Sequence, residues 1–393
     1  MEKVARGANN FAIRLHRLLC QDVSDENICI SPYSVFSSLV VIYLGARGQT
    51  AKQISDVLGL QQKSTSKLHE ICAWLWFLVS ESGARRDELL LANQLFIHAD
   101  IDIRMDYDQW AEAYYNTTPV SMSFATRPQG SRRRINEWIH KKTDGQLQDL
   151  IPDGGISARL LMLSINVAYF RGLWRGAFPH GSIYKTQFQC SLNSILEVDM
   201  MQKEESLLYG DFPDLRCVVV FLPLSWTQGW MTVMLPYKTD SIAQLEYRLR
   251  FYNFNKLRKR MKKHLVSIHL PKFRLENSLE LSSALPILGI KDLFEAGKTD
   301  LSAMLECPPD DLALTDFVHK ACIEVGEAGR PAAKPKSKFS CVPKELTKVT
   351  MIVNRPFLFF VQDGVSKVIV FSGHVVTPIA AEEEIERLGD EAL

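Results

Sequence analysis

The chain has 393 residues, of which 46% are hydrophobic and 23% charged, and its formal net charge is +1. That is the balance of an ordinary soluble globular protein, long enough for one large or two ordinary domains. A near-neutral chain sets up no field to gather nucleic acid or an anionic membrane, and no apolar run reaches the ~18 residues of a membrane span.

The first twenty residues, MEKVARGANNFAIRLHRLLC, lack the continuous apolar core of ~7–15 residues and the small-residue cleavage site of a secretory signal. They predict a helix with Phe11, Ile13, Leu15, Leu18 and Leu19 on its apolar face. Such a start fits a cytoplasmic protein, one exported without a cleaved signal, or a mature chain given a new Met. Location therefore stays open between extracellular and cytoplasmic. The sequon Asn116-Thr117-Thr118 matters only on a secretory route. The arginines at 132–134 read as surface.

The first 160 residues are mainly helical in pattern, and strands dominate from Leu160 onward. LMLSINVAYF, CVVVFLPL, WMTVMLP, LVSIHLPKFRL, PFLFFVQ and KVIVFSGHVV are short runs rich in Val, Ile, Phe and Tyr, closed by Pro or Gly. No repeat of solenoid period and no Gly/Ser-rich linker divides them, so residues 1–393 are expected to form a single α+β domain. The eight cysteines (20, 29, 72, 190, 217, 307, 322 and 341) show no CxxC and no metal-ligand spacing. They read as free, mostly buried thiols, because a chain this long needs no staples.

One basic stretch, KLRKRMKKH (256–264), admits two readings. With Leu257 and Met261 turned to the body, Lys256, Arg258, Lys259, Arg260, Lys262 and Lys263 form a solvated helix face. The alternative is a polyanion site, for a glycosaminoglycan for example, where clustered positive charge is what binding requires.

Catalytic fingerprints are missing: there is no GxSxG, GxxxxGK, GxGxxG or HExxH. Without a supporting motif a lone histidine is more often a structural hydrogen-bonder than a catalyst. An enzyme is the weakest reading, and neither a cofactor nor a metal is expected.

Several motifs, in order, resemble those of the serpin family. ISPYSVFSSLVVIYLGARGQTAKQISDVLGL (30–60) looks like its SPxS helix and GAxGxT turn, and LLLANQLF (90–97) like the second strand of its main sheet. INEWIHKKTDGQLQDLI (135–151) resembles the helix lying across that sheet, and INVAYFRGLWRGAF (165–178) the NAxYFKGxWxxxF strand. LPKFRLE (270–276) with LSSALPILGIKDLF (281–294), VHKACIEVGEAG (318–329) and RPFLFFVQDGVSKVIVFSGHVVTP (355–378) complete a match from near residue 8 to 380.

The resemblance implies three β-sheets, about nine helices and an exposed reactive loop, here about 327–354. In the family a serine protease cuts that loop and is trapped as an acyl-enzyme while the loop inserts as a new central strand of the main sheet. By motif, Ser31, Ser34, Asn166 and His319 match a polar cluster beneath the opening sheet. Trp174 matches the aromatic at the loop's entry point, and Lys272 pairs with Glu327 near the hinge. A monomer is expected.

The hinge departs from the family's run, roughly EEGTEAAAAT. After Gly326, the aligned residues are Glu327, Ala328, Gly329, Arg330, Pro331, Ala332, Ala333, Lys334, Pro335 and Lys336. If the family's threonine position is inward, strand alternation points Arg330, Ala332, Lys334 and Lys336 to the core. An unpaired buried charge costs several kcal/mol, and Pro331 and Pro335 each remove a ladder donor. A similar arginine occurs in ovalbumin, a non-inhibitory member. Trapping is a race between insertion and deacylation, so slow insertion turns an inhibitor into a substrate.

The scissile bond is bracketed only loosely. Counting forward by family spacing reaches Pro343, and counting back from Pro356 reaches Glu345. Lys344 between them suits a trypsin-like pocket, while Phe339, Cys341 and Leu346 suit chymotrypsin- or elastase-like enzymes. Two functions are therefore expected: a serine protease inhibitor, and alternatively a non-inhibitory binding or storage protein that is only a protease substrate.

Overall fold

A computed structural model describes residues 1–21, 23, 25–60, 65–80, 89–225, 228–249, 254–329 and 346–379. Its described residues form nine α-helices and fourteen strands. Before the central strand β4 come α1 (Glu2–Leu19), β1 (Ile28–Ile30), α2 (Pro32–Gly45), α3 (Gly48–Leu58), α4 (Thr65–Ser80), β2 (Leu89–His98), α5 (Met105–Tyr115), β3 (Val120–Met122) and α6 (Pro128–Lys142). Then follow β4 (Met162–Trp174), β5 (Ile183–Gln189), β6 (Ile195–Phe212), β7 (Cys217–Pro223), β8 (Trp230–Pro236), α7 (Ile242–Leu249) and α8 (Phe254–Arg260). The chain continues through β9 (Lys262–Pro271), β10 (Phe273–Glu280), α9 (Ala284–Leu288), β11 (Asp316–Gly329), β12 (Lys348–Ile352), β13 (Phe357–Gln362) and β14 (Ile369–Val375).

The main sheet has five strands in the order β10-β11-β4-β2-β3, and both its faces are buried. Alternation along β4 sends Met162, Ala168 and Phe170 to the larger core and Leu163, Ile165, Val167 and Tyr169 to a second core beneath α6. Helix α2 is buried nearly all round, which is why its sequence is apolar on every side. Ser31 caps it, accepting from the Ser34 N–H, and Pro32 occupies its first turn.

The expected α+β arrangement of sheets with about nine helices is present, and among the described residues the strands outside the main sheet are linked through β6. Its first part pairs with β5, its middle with β9 and its last residues with β7, giving a nine-stranded sheet. The helix expected over 135–151 instead ends at Lys142, where Asp144 and Gly145 take left-handed backbone (φ 48° and 78°). Leu147, Leu150 and Ile151 then tuck beneath α6 as loop residues. Finally, LVSIHLPKFRL is two strands: the chain leaves one sheet after Pro271 and enters the other at Phe273.

Of the helix face expected in α1, Phe11 and Leu15 are fully buried, whereas Ile13, Leu18 and Leu19 lie half-buried at its margin. The seven cysteines among the described residues are free, six of them buried, and Cys341 lies outside that set. Strand β1 lies so close to β14 that a Cβ at Gly373 would sit 1.9 Å from the Ile28 carbonyl oxygen. Gly373→Ala should therefore cost about 3 kcal/mol or more, read as a lower urea midpoint, because relief requires the β1–β14 pair to part.

Candidate functional site: the seam of the main sheet and the loop hinge

Strands β4 and β11 run parallel and pair directly from Leu163–Asp316 to Gly172–Val325, so no strand lies between them. After an irregularity the pairing resumes at Trp174–Gly329. This seam carries two polar constellations, one in the middle and one at the hinge end.

At the middle, Ser31, Ser34, Asn166 and His319 come together, all fully buried. The Ser31 N–H donates to His319 Nε2 at 2.9 Å, and the Ser31 hydroxyl donates to the Val370 carbonyl at 2.7 Å. The Ser34 hydroxyl donates to Asn93 Oδ1 at 3.0 Å. Asn93 on β2, Asn166 on β4 and His319 on β11 stand opposite one another in register. Asn93 escaped the sequence reading; its signal is a polar residue at a core-facing position of LLLANQLF.

Because Nε2 accepts a hydrogen bond, His319 is neutral with its proton on Nδ1. Burial pushes its pKa down to about 3, and the Asn166 main chain opposes that shift without reaching hydrogen-bond geometry. Among the described residues, His319 Nδ1 and both amide atoms of Asn166 have no hydrogen-bond partner. Leaving a buried polar group unpaired costs about 1–3 kcal/mol, so a rearrangement that gives these atoms partners is favoured.

At the hinge end, Trp174 is fully buried and its indole N–H donates to the Gly326 carbonyl at 2.7 Å. The Glu327 carbonyl accepts from Phe178 N–H, and its carboxylate pairs with Lys272 at 2.7 Å. That hydrogen bond from Lys272 holds the Glu327 carboxyl below its usual range. Gly329 packs so tightly that a Cβ would lie 2.7 Å from the Trp174 carbonyl oxygen. Lys203 was not anticipated: its ammonium lies 4.7 Å from the Phe178 ring centre and 2.9 Å from Glu205. Just below, the Tyr169 hydroxyl on β4 donates to Glu324 on β11 at 3.0 Å, a bond across the seam.

Residues Glu327, Ala328 and Gly329 of the hinge are placed, while Arg330, Pro331, Ala332 and Ala333 lie outside the described residues. So do Pro343, Lys344 and Glu345 of the expected reactive bond, and Phe339 and Cys341. The described chain resumes at the exposed Leu346 and enters β12 beside β9.

The family model described as Serpin (serine protease inhibitor) matches residues 6–378. The chain belongs to the serpin family. It is 31% identical to human Serpin B9 over 383 residues, covering 96% of this chain and 100% of that protein. It is 30% identical to the leukocyte elastase inhibitor of Xenopus tropicalis over 384 residues, with the same two shares. Uncleaved ovalbumin superposes with a TM-score of 0.84 at 23% identity, over 96% of this chain and 100% of that one. Human thyroxine-binding globulin complexed with thyroxine superposes at 0.83 and 23%, over 96% and 98%. These two likenesses speak for the fold. Among the described residues, no helix is long and apolar enough to cross a membrane.

The basic stretch of this serpin is not one helix face. Helix α8 ends at Arg260 and β9 begins at Lys262, although Leu257 and Met261 are buried as expected. Arg260 is committed to Asp214, at 2.7 and 3.0 Å, and Arg258 lies 5.1 Å from the Trp230 ring centre. Lys259, Lys262 and Lys263 are exposed, and the Lys256 side chain lies outside the described set. The sequon residue Asn116 is exposed in the left-handed cap of α5.

His319 has a pKa near 3 in the fold against 6.5 outside it. Between those values the unfolded chain binds the extra proton, so stability is complete above about pH 6.5 and is lost as pH falls. His319→Gln should remove about 2 kcal/mol of the stability difference between pH 7 and pH 5, measured by urea unfolding at both. An unchanged difference would show that His319 is already charged in the fold. Tyr169→Phe should weaken the seam by about 1.5–3 kcal/mol, the worth of a hydrogen bond to a charged group. The readout is faster uptake of a synthetic peptide copying residues 327–342.

Proposed function

We propose that this serpin inhibits serine proteases by trapping them as acyl-enzymes, its cleaved loop inserting between β4 and β11. The observation that carries this reading is the closed seam: two directly paired strands over a buried set of unsatisfied polar atoms. An arriving strand would replace one ladder by two, which is a driving force for movement. The hinge leads straight from the end of β11, anchored by Trp174 and by the Lys272–Glu327 pair. Relatives named as leukocyte elastase inhibitors add support at about 30% identity.

A second reading, a substrate that does not trap, is favoured by the loop itself. Arg330, Lys334 and Lys336 would meet a seam whose upper carboxylates already hold cations. Glu324 accepts from Tyr169 and lies near Arg171 and Arg274, Glu276 holds Lys320, and Glu327 holds Lys272. Incoming cations thus find these three carboxylates already paired, and Pro331 and Pro335 withhold two ladder donors.

The test is a denaturing gel after mixing with trypsin, chymotrypsin and elastase in turn. Trapping yields a band at the summed mass that survives boiling, and its lane assigns the primary site among Pro343, Lys344, Glu345 and their neighbours. Cleavage within 338–347 without that band establishes the substrate reading. Replacing Arg330 by Thr and Pro331 by Glu should raise the ratio of trapping to cleavage; an unchanged ratio removes the hinge as the cause.

A further inference from the structure

On the far side of the larger core, where the first helix meets the last strand, three side chains of metal-ligating type converge in a buried site. His16 and Cys20 lie four residues apart on α1, so they share one face of that helix. Glu246 reaches them from α7. All three are at least 95% buried, and one ligand atom from each lies within 4.8 Å of the others. The spacings are 3.6 Å from Cys20 Sγ to His16 Nε2 and 3.7 Å from that nitrogen to Glu246 Oε1.

The thiol lies 3.6 and 3.8 Å from the two ring nitrogens of His16, a weak contact, and the nitrogen-to-oxygen gap to Glu246 exceeds hydrogen-bond length. Zinc bonds of about 2.0–2.3 Å place nitrogen, oxygen and sulfur ligands about 3.3–3.5 Å apart, so small side-chain rotations bring the three donors onto one ion. We propose that His16, Cys20 and Glu246 bind one zinc ion, with His374 holding the carboxylate in place.

His374 on β14 is fully buried, and its two ring nitrogens face different partners. Nδ1 lies 2.7 Å from Glu246 Oε1, and Nε2 lies 2.7 Å from the Glu26 carbonyl oxygen, which accepts. Both nitrogens face oxygen atoms, and the Nδ1 contact fixes the orientation of the Glu246 carboxylate. The Phe360 ring, 5.4 Å from that of His16, closes another side.

Charge supports the assignment. One thiolate and one carboxylate offset the charge of the ion, which a buried site needs. A thiolate–imidazole–carboxylate set selects zinc over magnesium or calcium, which prefer oxygen alone. The fourth position falls to the second carboxylate oxygen or a water. Sequence spacing did not show the site because its donors come from positions 16, 20 and 246. The ion would pin α1 to α7 and, through His374, to β14, without using any residue of the seam.

The experiment uses the untagged full chain, stripped with a chelator and titrated with zinc and with cobalt. One cobalt ion per chain should give a near-ultraviolet thiolate-to-metal band together with the strong visible bands of a tetrahedral site. Zinc should abolish both and raise the thermal midpoint in a concentration-dependent way. Cys20→Ser should remove the thiolate band and Glu246→Gln should weaken binding at least tenfold, while Cys307→Ser, at the exposed thiol, should change nothing. If the Cys20 or Glu246 variants fail to fold, X-ray absorption on the zinc-loaded wild type decides, because it must show a single sulfur among nitrogen and oxygen neighbours. No binding, a spectrum without sulfur, or a band that survives Cys20→Ser and vanishes in Cys307→Ser would overturn the assignment.

Discussion

The direct pairing of β4 with β11 governs the rest of this molecule. The main sheet is buried on both faces, so every side chain along the seam must be apolar or satisfied by a neighbour. The chain breaks that rule at Asn166 and His319, whose amide atoms and Nδ1 find no hydrogen-bond partner among the described residues. A packed sheet tolerates such a defect only if surrounding structure holds it shut, and α2 does so. Its Ser31 ties the His319 ring from below and reaches across to β14 through Val370.

The hinge end has the opposite character. There Trp174, Gly326, Glu327 and Lys272 are all satisfied, and Gly329 fits only because it has no side chain. The seam thus carries unpaired polar atoms at its middle and a fully paired cluster at the end of β11. The seam's upper carboxylates are already spent on Tyr169, Lys320 and Lys272.

Elsewhere charge was harder to judge from order alone. The run 256–264 looked like a single cationic face, yet a change from helix to strand at Met261 splits it. Asp214 also takes Arg260, from a turn forty-six residues away. Surface charge density is a property of what folds next to a segment, and a run of lysines and arginines says nothing of the acids opposite.

Local features of this protein were legible in its residues: the buried helix after Ser31-Pro32, the strand-rich second half and the free buried thiols. Propensity, alternation and capping act over a few residues, so a linear reading captures them. What the tertiary structure alone decided are the relations between distant segments. Asn93 completes the central cluster, Tyr169 bonds Glu324 across the seam, and β6 links the strands outside the main sheet. His16 and Cys20 meet Glu246 only because α1 and α7 pack on the same sheet. Each depends on which surfaces become neighbours once apolar faces are removed from water, and that outcome belongs to the whole chain.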